Sequence, residues 1–242
     1  MLLLQQKMWG VMNCQHIYEK NIALFKGIKC PELETMLGCL GAKIAVYRKG
    51  DFMLTAGAPL RHVGILLSGQ AVVSRDDMLG NRTVLTALSP PQLFAESLAC
   101  AGVTVSPVNV EAVTDAEVLL VAFDKIIRTC TSCCAHHNVL VENMLHIVAR
   151  KNLEMSEKLD HIARKTTRQK LASYLLSQAN QNKSSRFEIG LDRQALADYL
   201  CVNRSALSRE LSGISDLGIL TYHRNQFAIR DMEQLEELLE SE

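Results

Sequence analysis

The run Asn203-Arg204-Ser205-Ala206-Leu207-Ser208-Arg209-Glu210-Leu211 follows Asp192-Arg193-Gln194-Ala195-Leu196-Ala197-Asp198-Tyr199-Leu200 across the tight link Cys201-Val202. In the first run Leu196 and Leu200 fall on one face, and Asp192 stands where a helix cap belongs. In the second, Ala206, Leu207 and Leu211 form the inner face, with Asn203 at the cap position. Two short amphipathic helices joined by so brief a link must cross sharply, as in a helix-turn-helix. The outer face of the second helix carries Arg204, Ser205, Ser208 and Arg209. A guanidinium can pair with a guanine edge through two hydrogen bonds, and a serine hydroxyl can bond a base or a phosphate. Solvated arginines on two surface helices are the plainer alternative. Agreement among caps, link length and basic outer face favours a DNA reader.

Working outward, residues 218–222 and 226–230 bracket His223-Arg224-Asn225 and read as a β-hairpin wing with a basic tip. Upstream, the hinge Lys165-Thr166-Thr167-Arg168 opens a further helix to about residue 180, and a polar loop leads to the short run Phe187-Glu188-Ile189. Thr167, Arg168, Arg193, Gln194, Asn203 and Arg224 join the outer face of the second helix as candidate DNA contacts. Contacts to phosphate position a protein without carrying sequence information. Charge supports this reading. Residues 164–230 hold eleven Lys/Arg against five Asp/Glu, residues 231–242 hold six acids and no Lys or Arg, and the remainder balances at fifteen each. A basic module between a neutral region and an acidic tail is the footprint of a nucleic-acid binder.

Before the hinge, residues 136–166 read as one long helix. Val141, Leu145, Val148, Asn152, Met155, Leu159 and Ile162 recur at spacings of 4 and 3, a coiled-coil seam with Asn152 at an a position. A lone Asn there selects register and a two-stranded state. The seam implies a parallel homodimer, which a two-fold DNA site also requires. Packing of the helix on its own chain is the alternative.

Residues 42–123 change to short apolar runs separated by turns: 43–47, 52–55, 63–67, 71–74, 83–88, 109–113 and 117–123. Many short strands at this spacing predict a sandwich or closed β-roll. Gly50, Gly69 and the turn Leu79-Gly80-Asn81 are candidates for positive-φ corners. Residues 1–40 read as helix and loop without a clear site. The expected fold is therefore α+β: a jelly-roll-like β-roll with amino-terminal helices (1–135), a dimerisation helix (136–165), and a winged helix-turn-helix domain (166–242).

The chain of 242 residues is 48% apolar and 21% charged, a globular composition. No run approaches the ~18 apolar residues of a membrane span, and no signal peptide is apparent. A cytoplasmic protein without a membrane partner is expected, its eight cysteines being thiols or ligands and not structural disulfides.

Tyr47-Arg48-Lys49-Gly50-Asp51, Gly57, Ile65-Leu66-Leu67-Ser68-Gly69 and Phe94-Ala95-Glu96 resemble the cyclic-nucleotide-binding-type roll of the Crp/Fnr family of bacterial transcription regulators. Met155-Ser156-Glu157-Lys158 is similar to that family's dimer helix, and residues 202–209 to its recognition helix. The resemblance covers nearly the whole chain. It implies a homodimer whose roll senses a small-molecule effector at Phe94, Ala95, Glu96, Ser97, Ser106, Met155 and Ser156. Sensing would set two recognition helices on double-stranded palindromic promoter DNA, in contact with RNA polymerase. No enzymatic activity is implied.

Departures from the family pattern bear on mechanism. Members that bind cyclic AMP carry a phosphate-binding Arg about ten residues after a Gly-Glu pair. Here the Gly is Ala95, the Arg position falls on Ser106, and only the second of two purine-touching hydroxyls remains, at Ser156. A phosphate needs a fork of donors or a positive charge, so an effector other than cyclic AMP is expected, its identity open. In the recognition helix, Ser205 stands where many relatives have a cytosine-reading Glu, and a different operator sequence follows.

Oxygen-sensing relatives hold an iron–sulfur cluster on closely spaced cysteines. Cys14, Cys30, Cys39 and Cys100 match in number but not in spacing, with gaps of sixteen and nine between the first three. Cys130, Cys133 and Cys134, beside His136 and His137, form a C-x-x-C group that could bind metal or sense redox state. Small half-buried thiols with two exposed histidines are the plainer reading. No cofactor is assigned. A cupin-type enzyme would need a histidine cluster on the strands, where only His62 is available. An effector-binding adaptor that does not bind DNA is the other alternative.

Overall fold

In the computed structural model, which describes residues 14–77, 82–127 and 136–240, two helices come first, α1 (Cys14–Glu19) and α2 (Cys30–Cys39). Then follow β1 (Lys43–Tyr47), β2 (Phe52–Leu54), β3 (His62–Ser68), β4 (Ala71–Asp76), β5 (Arg82–Leu88), β6 (Leu93–Phe94), the short helix α3 (Glu96–Cys100), β7 (Asn109–Ala112) and β8 (Ala116–Ala122). Each of the seven expected runs forms a strand, with ends shifted by a residue or two. β6 is the addition, too short to show a period. The turn at Leu79-Gly80-Asn81, like Cys130, Cys133 and Cys134, lies outside the described residues.

The strands form two antiparallel four-stranded sheets, ordered β1-β8-β3-β6 and β2-β7-β4-β5, a jelly roll. β3 shows why its sequence is apolar without a break. Leu66 clusters with Tyr47, Phe94 and Val118 of its own sheet and with Val110 of the second, whereas Val63, Ile65 and Leu67 pack with Leu33 and Leu37 of α2 in a second cluster. A strand buried on both faces loses the apolar–polar alternation of a half-exposed one. After β8 come α4 (Phe123–Ile127) and α5 (His137–Ile162). Leu140 and Met144 of α5 lie in the same cluster as α2. Asn143 Nδ2 donates to the carbonyls of Leu24 (3.0 Å) and Lys26 (2.8 Å).

The chain divides within α5 into two compact units, Met1–Ala149 and Arg150–Glu242. The second continues with α6 (Thr167–Asn182), β9 (Arg186–Glu188), α7 (Arg193–Tyr199), α8 (Arg204–Asp216), β10 (Leu220–His223), β11 (Gln226–Ile229) and α9 (Met232–Glu237). The wing is a three-stranded antiparallel sheet, β10-β11-β9. Among the described residues no helix is long and apolar enough to cross a membrane.

Two glycines are fixed by the space they leave. At Gly64 an added Cβ would overlap the Phe94 ring. At Gly69, with φ +83°, it would meet the Asp115 carbonyl. Gly64→Ala is therefore expected to lower the unfolding free energy of the first unit by about 1–3 kcal/mol, read as the urea midpoint. An unchanged midpoint would contradict this seating of Phe94.

Candidate nucleic-acid interface and effector site

Asp192 Oδ1 accepts from the Ala195 N–H at 2.8 Å and starts α7. The helix stops at Leu200 because Cys201 turns left-handed, φ +53°, which lets the Val202 N–H return to the Ala197 carbonyl at 3.0 Å. Asn203 then opens α8, but its side chain makes no capping hydrogen bond, contrary to the sequence expectation. Its backbone carbonyl accepts from Leu207 N at 2.9 Å, and its side chain is exposed. Leu207, Leu211 and Ile214 are fully buried against Leu196, Leu200 and Leu175. Ala206, expected in this row, is half-buried, and Ile214 completes the row instead. The opposite face presents Arg204, Ser205, Arg209 and Ser212 to solvent, with Ser208 half-buried. Ser212, on the same exposed face, escaped the sequence reading.

The other basic candidates divide by what they touch. Arg224 is exposed at the wing turn, φ +55°. Arg168 Nε donates to Glu210 Oε2 at 2.7 Å, tying α6 to the recognition helix α8. Arg193 lies over the Tyr222 ring at 5.3 Å and the Phe227 ring at 6.0 Å. Its Nη2 donates to the Arg224 carbonyl at 3.3 Å, and burial lowers its pKa. In these positions Arg168 and Arg193 hold the recognition helix and the wing in place. Gln194 is exposed and donates to Asp198 at 2.9 Å. Thr167 is half-buried at the start of α6. The cap of that helix is Thr166, in a reciprocal box: Gln169 N donates to Thr166 Oγ1 at 3.1 Å, and Thr166 N to Gln169 Oε1 at 3.2 Å. The T-x-x-Q spacing carried that signal.

On the seam of α5, Val141 (40% exposed), Leu145 (67%), Met155 (59%) and Leu159 (54%) lie open to solvent. Asn152 is exposed, and Val148 and Ile162 are half-buried. Next to the seam's end, His161 is buried, with Nδ1 2.8 Å from Ser173 Oγ and an edge contact to Tyr174. Burial pushes its pKa down, against the opposing pull of Glu157 and Asp160.

In the roll, Phe94 is buried, and Ala95 adopts a left-handed conformation, φ +66°, at the start of α3. Glu96 is buried in the first turn, and its Oε1 accepts from the exposed Ser97 hydroxyl at 3.0 Å. Ser106 is buried and closes a local turn: its Oγ donates to the Val108 carbonyl at 2.8 Å and faces the Val108 N–H at 3.2 Å. Arg82 pairs with Glu111 at 2.6 Å and donates to Ser74 at 3.0 Å. Met155 and Ser156 are exposed on α5, in the second unit.

Cys14 and Cys30 are neighbours, Sγ to Sγ 3.3 Å. Among the described residues no group of three or more His, Cys, Asp and Glu is placed to hold a metal ion. His137, expected at the surface, is buried, its Nε2 2.9 Å from the Ile126 carbonyl. His136 faces Glu32 at 3.4 Å.

Together these parts define a two-domain regulator: a nucleotide-binding-type roll followed by a winged helix-turn-helix. A family model described as a cyclic nucleotide-binding domain matches residues 44–133, and a Crp-like helix-turn-helix domain model matches residues 169–238. The chain belongs to the Crp/Fnr family of transcription regulators. Its fold is similar to a CooA mutant from Carboxydothermus hydrogenoformans, with TM-score 0.58 and 19% identity over 84% of this chain and 90% of that one. It is also similar to the c-di-GMP-responsive regulator CLP from Xanthomonas campestris, with TM-score 0.53 and 13% identity over 81% and 98%. FixK2 from Bradyrhizobium japonicum has TM-score 0.50 and 20% identity over 81% and 96%. No curated protein sequence matches the chain.

Two measurements check the local geometry. Left-handed backbone at a residue with a Cβ costs about 1–2 kcal/mol. Ala95→Gly and Cys201→Gly should each raise stability by up to about 1 kcal/mol, after the glycine's added unfolded-state entropy is subtracted. The His161 shift sets a pH slope. The folded-state pKa lies below the ordinary 6.5, so the unfolded chain takes the proton first. The stability contribution is present above that value and falls away as pH drops below it. Urea midpoints of the second unit should decline in that window, and His161→Gln should flatten the decline.

Proposed function

We propose that this protein is a homodimeric, sequence-specific transcription regulator whose roll senses an effector other than cyclic AMP. The observation that carries the DNA-reading role is the recognition helix α8, whose inner row is fully buried while Arg204, Ser205, Arg209 and Ser212 stand in solvent. Arginine forks matched to guanine edges give base readout. The exposed Arg224 of the wing and Thr167 at the start of α6 supply phosphate contacts. Arg168 and Arg193 act through Glu210 and the wing, and the exposed Gln194 of α7 is a further candidate contact.

The exposed apolar row on α5 supports dimerisation through a second copy of the same helix, with Asn152 setting register. A two-fold dimer presents two recognition helices to half-sites about 34 Å apart, so the operator is a palindrome. Contact with RNA polymerase completes the role of a promoter-bound regulator.

The effector reading rests on the chemistry at Glu96 and Ser106. A cyclic phosphodiester carries a negative charge and needs a cation or a cluster of free donors. Glu96 is itself acidic, the Ser106 hydroxyl is engaged with its own turn, and Arg82 is paired to Glu111. An uncharged or apolar effector suits Phe94, Ala95 and Ser97 better.

The decisive experiment selects duplex sequences from a random pool and measures affinity as a function of salt. A palindromic consensus is expected, with a steep salt slope from counterion release. Arg204→Ala and Arg209→Ala should each cost about 1–3 kcal/mol and relax specificity at one base pair. Cyclic AMP should change neither affinity nor thermal stability. Weak, salt-insensitive binding without a consensus would favour a protein-binding adaptor instead.

A further inference from the structure

Cys14 opens α1, and Cys30 begins α2, sixteen positions later. Their sulfurs lie 3.3 Å apart, the Cys14 thiol donates to the Cys30 carbonyl at 3.1 Å, and the Cys30 thiol points to Gln15 Oε1 at 3.6 Å. Both residues are half-buried. A disulfide needs about 2.05 Å between sulfurs, so this pair, at 3.3 Å, is in contact but unbonded.

The two thiols differ in readiness. Burial and the neighbouring Cys30 thiol push the Cys14 pKa up to about 11, which keeps it a poor first nucleophile. Cys30, in the first turn of α2 beside the exposed Gln15 side chain, is left as the thiol that meets the oxidant first.

We infer that Cys14 and Cys30 form a reversible thiol–disulfide site, oxidised by low-molecular-weight disulfides and linked mechanically to helix α5. The Cys30 thiolate attacks a small disulfide RSSR, forming Cys30–S–S–R and releasing RS⁻. Cys14 then gives its proton to solvent and attacks the Cys30 sulfur, closing the Cys14–Cys30 bond and releasing the second RS⁻. In sum, two protein thiols are oxidised and one RSSR is reduced to two RSH.

The loop this bond closes contains Leu24 and Lys26, whose carbonyls hold Asn143 of α5. It also contains Ile17, Ile22 and Phe25, packed in the same cluster as Leu140 and Met144 of α5. Fixing the loop ends therefore stiffens the seat of the long helix. The site goes beyond the proposed effector role of the roll, since its formation requires neither DNA nor ligand.

The test treats the full chain with oxidised glutathione, blocks free thiols, and maps peptides by mass. A companion variant with Cys100, Cys130, Cys133, Cys134 and Cys201 changed to Ser keeps other thiols out of the exchange. The expected product in both proteins is an intramolecular Cys14–Cys30 disulfide, two hydrogens lighter and reversed by dithiothreitol. Cys14→Ser should trap glutathione on Cys30, Cys30→Ser should leave Cys14 unmodified, and Cys39→Ser should change nothing. Hydrogen exchange should slow at residues 15–29 and 137–147 on oxidation. A glutathione adduct persisting on Cys30 in the unmutated chain, or linkage of Cys14 or Cys30 to another cysteine, would overturn the site. Unchanged exchange in α5 would overturn its link to the helix.

Discussion

The burial of Leu207, Leu211 and Ile214 is the constraint from which the DNA-reading face follows. A helix of thirteen residues is marginal alone in water, and tertiary packing of one face supplies its stability. Because three apolar residues on that face are fully withdrawn from solvent, the core holds the helix without drawing on Arg204, Ser205 or Arg209. Arg204, Ser205 and Arg209 can be spent wholly on a partner. Glu210 lies between the two faces and is taken by Arg168 of α6, which resists rotation of α8 about its axis. Arg193 does the same for the wing by lying across two of its rings. An ion pair this exposed contributes little to stability; its effect is directional.

Helix α5 presents the inverse situation. Its first turns are anchored in the core through Leu140 and Met144, while Leu145, Met155 and Leu159 meet water. Each large aliphatic side chain left in solvent forgoes about 1.5–3 kcal/mol of burial. A row of them at coiled-coil spacing gains that back only against a matching row. The same helix is gripped at Asn143 by the loop between Cys14 and Cys30. In the proposed dimer, a bond between Cys14 and Cys30 would therefore act on the helix that carries this row.

What could be read from the residues followed their range of interaction. The strands, the helix-turn-helix and the α5 row are periodic, and periodicity is local, so their order was legible. The cap at Asp192 was legible for the same reason. Asn203 was not, because a residue suited to capping can leave its side chain unbonded when the surrounding turn already fixes the backbone. The roles of Arg168 and Arg193 depend on Glu210, Tyr222 and Phe227, between 29 and 42 positions away. A linear reading assigns a surface arginine near a DNA-reading helix to the DNA. β6 escaped because two residues show no alternation. The Cys14–Cys30 contact was hidden by a spacing that fits no known ligand pattern.

Sedimentation equilibrium of the intact chain beside Leu145→Glu tests the central claim most directly. The account predicts a dimer for the unmodified protein and a monomer for the variant that still folds, since Leu145 is exposed in the single chain, and melts lower for want of its partner. A monomeric unmodified protein, or a dimer indifferent to a charge at position 145, would contradict it.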